Sequence, residues 1–304
     1  MTAPLRAAQL QDAYCQACET ELRAFKPGNV SVYSATHDMS VDDFRLSAAA
    51  SATPLCDFRR PLGERIFRAV SATRERVRCN TNLGIVLLAA PLLQACIARA
   101  NNESLRESLG RVLNCTTRAD ADWTYQAIRL AAPGGLGEAS DQDVRAAPRV
   151  TLLEAMALAA ERDRIAWQYR YGYSDIFDFS VPVYHNALSR WGDDEWATVG
   201  VFAALLRWIP DSHIERKFGT RFSPVVAEKM KLVSLALSEA DHPEPVMELL
   251  REVDSEFKSA GINPGTTADL TVASLLAVKL DALRNPWGLS SHGAAADGSG
   301  ARKQ

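Results

Sequence analysis

Three clusters of polar residues are spaced for phosphate and sugar chemistry. The first starts at Glu21 and runs through Lys26-Pro27-Gly28-Asn29 to His37-Asp38-Met39, with Asp43, Phe44 and Ser47 beyond. Pro27 ends a helix and Gly28 allows a tight turn. Lys26 could there meet a phosphate as a point charge, although a basic residue and a glycine are also ordinary at a helix C-terminus. The second cluster is Asn80-Thr81-Asn82-Leu83-Gly84, which opens an apolar segment. Asparagine and threonine cap helices, and the free N–H groups of a helix start attract anions. The third is Asn263-Pro264-Gly265-Thr266-Thr267-Ala268-Asp269-Leu270, again leading into apolar residues. Thr266 and Asp269 fit a capping box, which would make Asp269 structural. A carboxylate one turn into a helix is equally placed for magnesium or a ligand hydroxyl.

Other signals are weaker. Glu161-Arg162-Asp163-Arg164 reads as a solvated helix face. Asp211 to Gly219 ends in Arg216 and Lys217, which suit either a helix dipole or a phosphate clamp. Cys15 and Cys18 form a CxxC with no second pair, and the five histidines never fall at metal-ligand spacing. No GxSxG, P-loop or GxGxxG precedes a helix.

The elements that must position these residues are helical. Ile66, Ala69, Val70, Thr73 and Val77 recur at three- and four-residue steps. The same pattern predicts helices over about 5–24, 42–52, 83–99, 103–114, 119–131, 151–170, 194–208, 224–238, 244–260 and 268–284. Ser40 with Asp43 and Thr151 with Glu154 read as capping boxes, and Pro224 suits a first helical turn. The best strand candidate, Asn29 to Tyr33, is short. The expected fold is all-α: one multi-helix domain over 1–287, built around buried apolar helices, then a disordered tail over 288–304. Ala132 to Pro148 is predicted to be a long non-helical connection.

Composition narrows the function classes. The 304 residues are 47% apolar and 23% charged, which excludes wholesale disorder. A net charge of −3 gives no basic field for nucleic acid or an anionic membrane. The longest apolar run, about 83–98, contains Pro91 and Gln94 and falls short of the ~20 residues a membrane helix needs. Neither a signal-peptide pattern at the N-terminus nor a disulfide framework among six cysteines is evident, so a reducing cytoplasm is expected.

In their order, the three clusters resemble the triphosphoribosyl-dephospho-CoA synthases, which make the prosthetic-group precursor of citrate lyase and malonate decarboxylase. The matching residues are Glu21, Lys26-Pro27-Gly28, Asp38-Met39, Phe44 with Ser47-Ala48, Asn80-Thr81, and Pro264-Gly265 with Ala268-Asp269-Leu270. The chain departs from the citrate-lyase members at Asn29-Val30-Ser31, at Asn82-Leu83 in place of His-Lys, and at Thr266-Thr267 in place of Gly-Ser. It looks like a divergent branch, similar to proteins of one-carbon cofactor metabolism. The departures bear on the acceptor more than on the use of ATP.

The resemblance implies an enzyme that moves the triphosphoribosyl group of ATP to a ribose hydroxyl of 3′-dephospho-CoA and releases adenine. It implies magnesium bound with ATP; the charge balance speaks against nucleic-acid and membrane partners, and a homodimer is one candidate assembly. Phosphates would be held by Lys26, Gly28, Asn29, Asn80, Thr81, Asn82, Gly84, Gly265 and Thr266, with Arg216 and Lys217 behind them. Glu21, Asp38 and Asp269 would share the acid–base work, and Asp38, Asp163 and Asp269 the magnesium. Two alternatives stand beside this: a relative using another acceptor in pterin or furan cofactor assembly, and a non-catalytic nucleotide-binding protein.

Overall fold

The computed structural model describes residues 6–34, 39–134 and 142–284. Asp38 and the expected tail over 288–304 lie outside them. The described residues are all-α, and their one β-type pairing is an isolated bridge between Ser31 and Ser34. The best strand candidate, Asn29 to Tyr33, is a tight turn.

Helices α1 (Ala7–Arg23), α2 (Val41–Leu55), α3 (Leu62–Val77), α4 (Leu83–Ala98), α5 (Leu105–Asn114) and α6 (Arg118–Ala131) form the first half. After the connection come α7 (Leu152–Ala159), α8 (Arg164–Arg170), α9 (Val181–Trp191), α10 (Asp194–Trp208) and α11 (Ser212–Phe218). The chain closes with α12 (Ser223–Glu239), α13 (Met247–Ser259) and α14 (Gly265–Arg284). Ser40 and Thr151 cap α2 and α7 through the expected capping boxes.

α4 is apolar on every side and sits at the centre. It packs against α3, α5 and α14, and most of α14 is buried as well. Around these two helices α1, α2, α3, α5 and α6 complete the larger core. A second, smaller core gathers Phe202, Met230, Leu250 and Phe257 from α10, α12 and α13. Pro91 lies inside α4, so Leu87 O has no N–H to accept in the next turn. Tyr169 OH donates to Leu87 O at 2.6 Å, and Tyr173 OH donates to Leu88 O at 3.1 Å. Both tyrosines are buried, so the flaw in the central helix is repaired from α8.

The helix predicted over 151–170 is two helices. α7 stops at Ala159, and Asp163 starts α8 by accepting from Ile165 N at 2.9 Å and Ala166 N at 3.1 Å. No glycine or proline marks that break in the sequence. α9 and α11 carry no expectation from the pattern; α11 has seven residues, too few for its periodicity to stand out.

Candidate active site

The starts of α4, α8, α11 and α14 and the end of α1 face a cavity of about 460 Å³, a size usual for small-molecule sites. Of the residues expected at a site, Glu21, Asn29, Asn80, Thr81, Asn82, Gly84, Asp163, Arg216, Gly265, Thr266 and Asp269 line it. Lys26, Gly28 and Lys217 do not.

Lys26 is fully buried. Its Nζ donates to Glu21 O at 2.6 Å and to Ala24 O at 3.3 Å, and pairs with Glu21 Oε1 at 3.2 Å. Three protons thus have three acceptors, and none is left for a phosphate. The lysine closes the carbonyl end of α1, where a cation is favoured. Gly28 adopts φ 81°, and its N–H donates to Asp254 Oδ1 at 2.8 Å. A Cβ there would lie 2.8 Å from Ile262 O, so the glycine serves a close backbone approach. Lys217 points away from the cavity, over the Phe218 ring and toward Gly261 O at 3.4 Å. The expectation for Lys26 and Gly28 rested on their turn and on the Lys-Pro-Gly match, and that for Lys217 on its charge.

The α4 start is held by its neighbours. Ser47 and Thr81 share a hydrogen bond of 2.5 Å between their hydroxyls, and Asn82 Nδ2 donates to Ser51 Oγ at 3.2 Å. Asn80 Oδ1 accepts from Leu83 N at 3.2 Å. Asn29 Nδ2 donates to Asn263 Oδ1 at 2.8 Å, tying the first cluster to the third. Asn82 is therefore an anchor to α2, and Asn29 joins two turns.

Asp269 makes no capping box with Thr266. The cap of α14 comes from Asp211, whose Oδ2 accepts from Thr267 N at 2.7 Å and Thr267 Oγ1 at 2.8 Å. Asp211 Oδ1 meanwhile accepts from His213 N at 2.9 Å and Ile214 N at 3.1 Å, capping α11 too. Among the described residues, Asp269 has neither a hydrogen-bond nor an ion-pair partner. Its carboxyl lies over Gly84, where a Cβ would come within 2.0 Å of Asp269 Oδ2. Gly84 is thus the space Asp269 occupies. Burial pushes the Asp269 carboxyl well above the usual range, and the nearby charges of Asp211 and Glu21 add to this. Burial also raises Glu21, but the charge of Lys26 pulls it back.

The cations on the wall are two arginines. Arg216 Nη1 donates to Asp163 Oδ2 at 2.5 Å, while its Nε is buried without a partner. With its other oxygen capping α8, Asp163 has both oxygens engaged, which argues against a magnesium role. Arg162 lines the cavity and, among the described residues, has no acidic partner. His213 lies against Gly265, with Nδ1 3.4 Å from where a Cβ would be. Burial lowers its imidazole below the usual value, against the pull of Asp211. No group of three or more His, Cys, Asp or Glu side chains among the described residues could hold a metal ion. No helix among them is long and apolar enough to cross a membrane.

A sequence profile of the ATP:dephospho-CoA triphosphoribosyl transferase family, CitG, matches residues 7–288. The chain belongs to this family. It is a transferase of that family, and all-α. Among solved structures, a protein assigned as a triphosphoribosyl-dephospho-CoA synthase from Archaeoglobus fulgidus superimposes with a TM-score of 0.59 at 25% identity. The match covers 76% of this chain and 96% of that one. None of the curated proteins compared matches. For this CitG-family chain, sequence reasoning under-read Arg162 as a solvated face and gave Asp211 and His213 no separate role. A lone Asp two residues before a His is an ordinary helix start, and only the fold reveals that Asp211 caps two helices at once.

Proposed function

We propose that the cavity transfers the triphosphoribosyl group of ATP to a ribose hydroxyl of 3′-dephospho-CoA and that its two facing carboxyls divide the chemistry. The observation that carries this division is that Glu21 is ion-paired with Lys26, while among the described residues Asp269 makes no ion pair and only the more distant charge of Arg216 offsets its burial. Opposed environments of this kind are how enzymes set an acid beside a base.

In this reading the C1′–N9 bond of ATP breaks with its electron pair leaving on adenine. Asp269, whose carboxyl is held above the usual range by desolvation, gives adenine the proton it needs. The acceptor hydroxyl oxygen bonds to C1′ and passes its proton to Glu21. The Glu21 charge also steadies the oxocarbenium-like sugar, as carboxylates do in glycosyl transfer. Arg216 and the α14 start at Gly265 and Thr266 face the triphosphate. Magnesium enters on the triphosphate as part of the substrate, where phosphate oxygens supply most of its ligands.

The test is Asp269→Asn, assayed for adenine release from Mg-ATP and dephospho-CoA. Losing the acid should lower kcat by about 10²–10⁴-fold. An ATP analogue methylated at N7, whose base departs without a proton, should bring the variant back to within about tenfold of wild type. Equal loss with both substrates would assign Asp269 to holding the sugar or the ion instead.

A further inference from the structure

The cavity has two chemically different sides. The polar side described above suits a triphosphate, a ribose and the reacting atoms. The other side is built by α6 and α7, and it carries Tyr125, Leu152, Ala155 and Met156. A polyanion gains nothing from such a wall and would lose hydration on it. Adenine must lie by its proton donor Asp269, on the α4 and α14 side. What remains of the two substrates is dephospho-CoA's own adenine and its uncharged pantetheine arm, and of these only the arm is joined to the ribose through a diphosphate.

Two details support this placement. Leu158 lines the cavity while keeping 51% of its surface exposed. It extends the apolar wall outward at the end of α7. One turn further along the chain stands Arg162, which has no acidic partner among the described residues. The order Met156, Leu158, Arg162, Asp163 therefore runs from apolar wall through a cation to polar floor. In dephospho-CoA the order is arm, diphosphate, ribose. The wall is also built in advance. Tyr125 OH donates to Gln142 O at 2.8 Å, Arg118 Nε donates to Pro148 O at 2.7 Å, and Arg129 donates to Val144 O. These bonds pin the described part of the connection to α6.

Resting on the transfer reading above, we infer that the α6–α7 wall is the acceptor-specificity site. The pantetheine arm lies along Tyr125, Leu152, Met156 and Leu158, and Arg162 receives the diphosphate that joins the arm to the ribose. The recognised class is a nucleoside diphosphate extended by an uncharged, largely apolar chain.

The experiment compares dephospho-CoA with adenosine 5′-diphosphate as acceptors, using wild type, Leu158→Glu and Arg162→Gln. Leu158 is exposed enough for the substitution to leave folding intact. The wild type should prefer dephospho-CoA by about tenfold or more, the usual worth of one well-placed apolar contact. Leu158→Glu should narrow that preference and raise KM for dephospho-CoA about tenfold, with KM for ATP unchanged. Arg162→Gln should raise KM for both acceptors. An equal rise in KM for ATP, or equal use of both acceptors by wild type, would overturn the inference. Calorimetric titration of dephospho-CoA into wild type and Leu158→Glu reads the arm site without turnover. Unequal affinities alongside no adenine release would retire the transfer chemistry and leave the arm site standing, while equal affinities would retire the arm site itself.

Discussion

Glu21 at the end of α1, buried, and Asp269 in the first turn of α14, half-buried, are two carboxyls facing one cavity. The first was built with its counter-charge. Lys26 lies five residues on, past the helix end, and spends all three protons on Glu21 and the carbonyls beside it. The second has no such close partner: it is pressed onto a glycine and near other acids, with the more distant Arg216 as its offsetting charge. Burial alone raises both groups, so the difference lies in the partner. One cavity can hold a carboxylate and a carboxylic acid together only if their surroundings differ in this way.

The strongest way to break the contrast is to remove the partner of Glu21. Lys26→Met leaves a buried, unpaired carboxylate and should cost about 3–5 kcal/mol. Adding Glu21→Gln should recover a large part of that loss, and urea denaturation of both singles and the double reads the coupling. Equal losses with and without Glu21 would show that Lys26 serves only the carbonyls of α1.

Gly84→Ala attacks the other carboxyl. The new methyl would claim the space of Asp269 Oδ2, and a shift of that order typically costs about 10²-fold in rate. Melting temperature should change little, because the group displaced is an unbonded carboxyl at a cavity wall. Full turnover would show that the position of Asp269 is unimportant.

The smallest effect sharpens the comparison through pH. A carboxyl whose folded pKa lies above its unfolded value favours folding fully below the unfolded pKa, about 4, and that contribution disappears as pH rises through the folded value. Wild type should therefore lose stability with rising pH through that window. Asp269→Asn, which cannot ionise, should lack this slope. At neutral pH the variant should be more stable than wild type by on the order of 1 kcal/mol, the usual scale of a single substitution, because Asn has no charge to desolvate. Melting temperatures from pH 4 to 8 read both. A less stable Asn variant would mean that Asp269 is paired in solution.

Much of this was legible in the residues, and the failures share a physical cause. Long amphipathic runs and capping boxes such as Ser40 with Asp43 act over three or four residues, so they gave the helices and the all-α class. The clusters at Glu21, Asn80 and Asp269 do meet at one cavity, as their family order implied. What misled was local plausibility. Lys26 sits in a turn fit for phosphate, yet a carboxylate one turn back claims it. Thr266 and Asp269 have capping-box spacing, yet Asp211 from α11 takes the Thr267 N–H. Both outcomes depend on groups brought in by folding. The role of Gly84 could not be foreseen either, because its neighbour is 185 residues away.

The proline inside α4 has a kinetic meaning as well. With the Leu87 carbonyl denied an N–H by Pro91 and bonded by a tyrosine from α8, the central helix loses that bond when α8 departs. In amide exchange, residues 83–98 and 164–173 should open as one cooperative unit. A Tyr169→Phe variant should speed exchange across the central helix, although it touches nothing in the cavity.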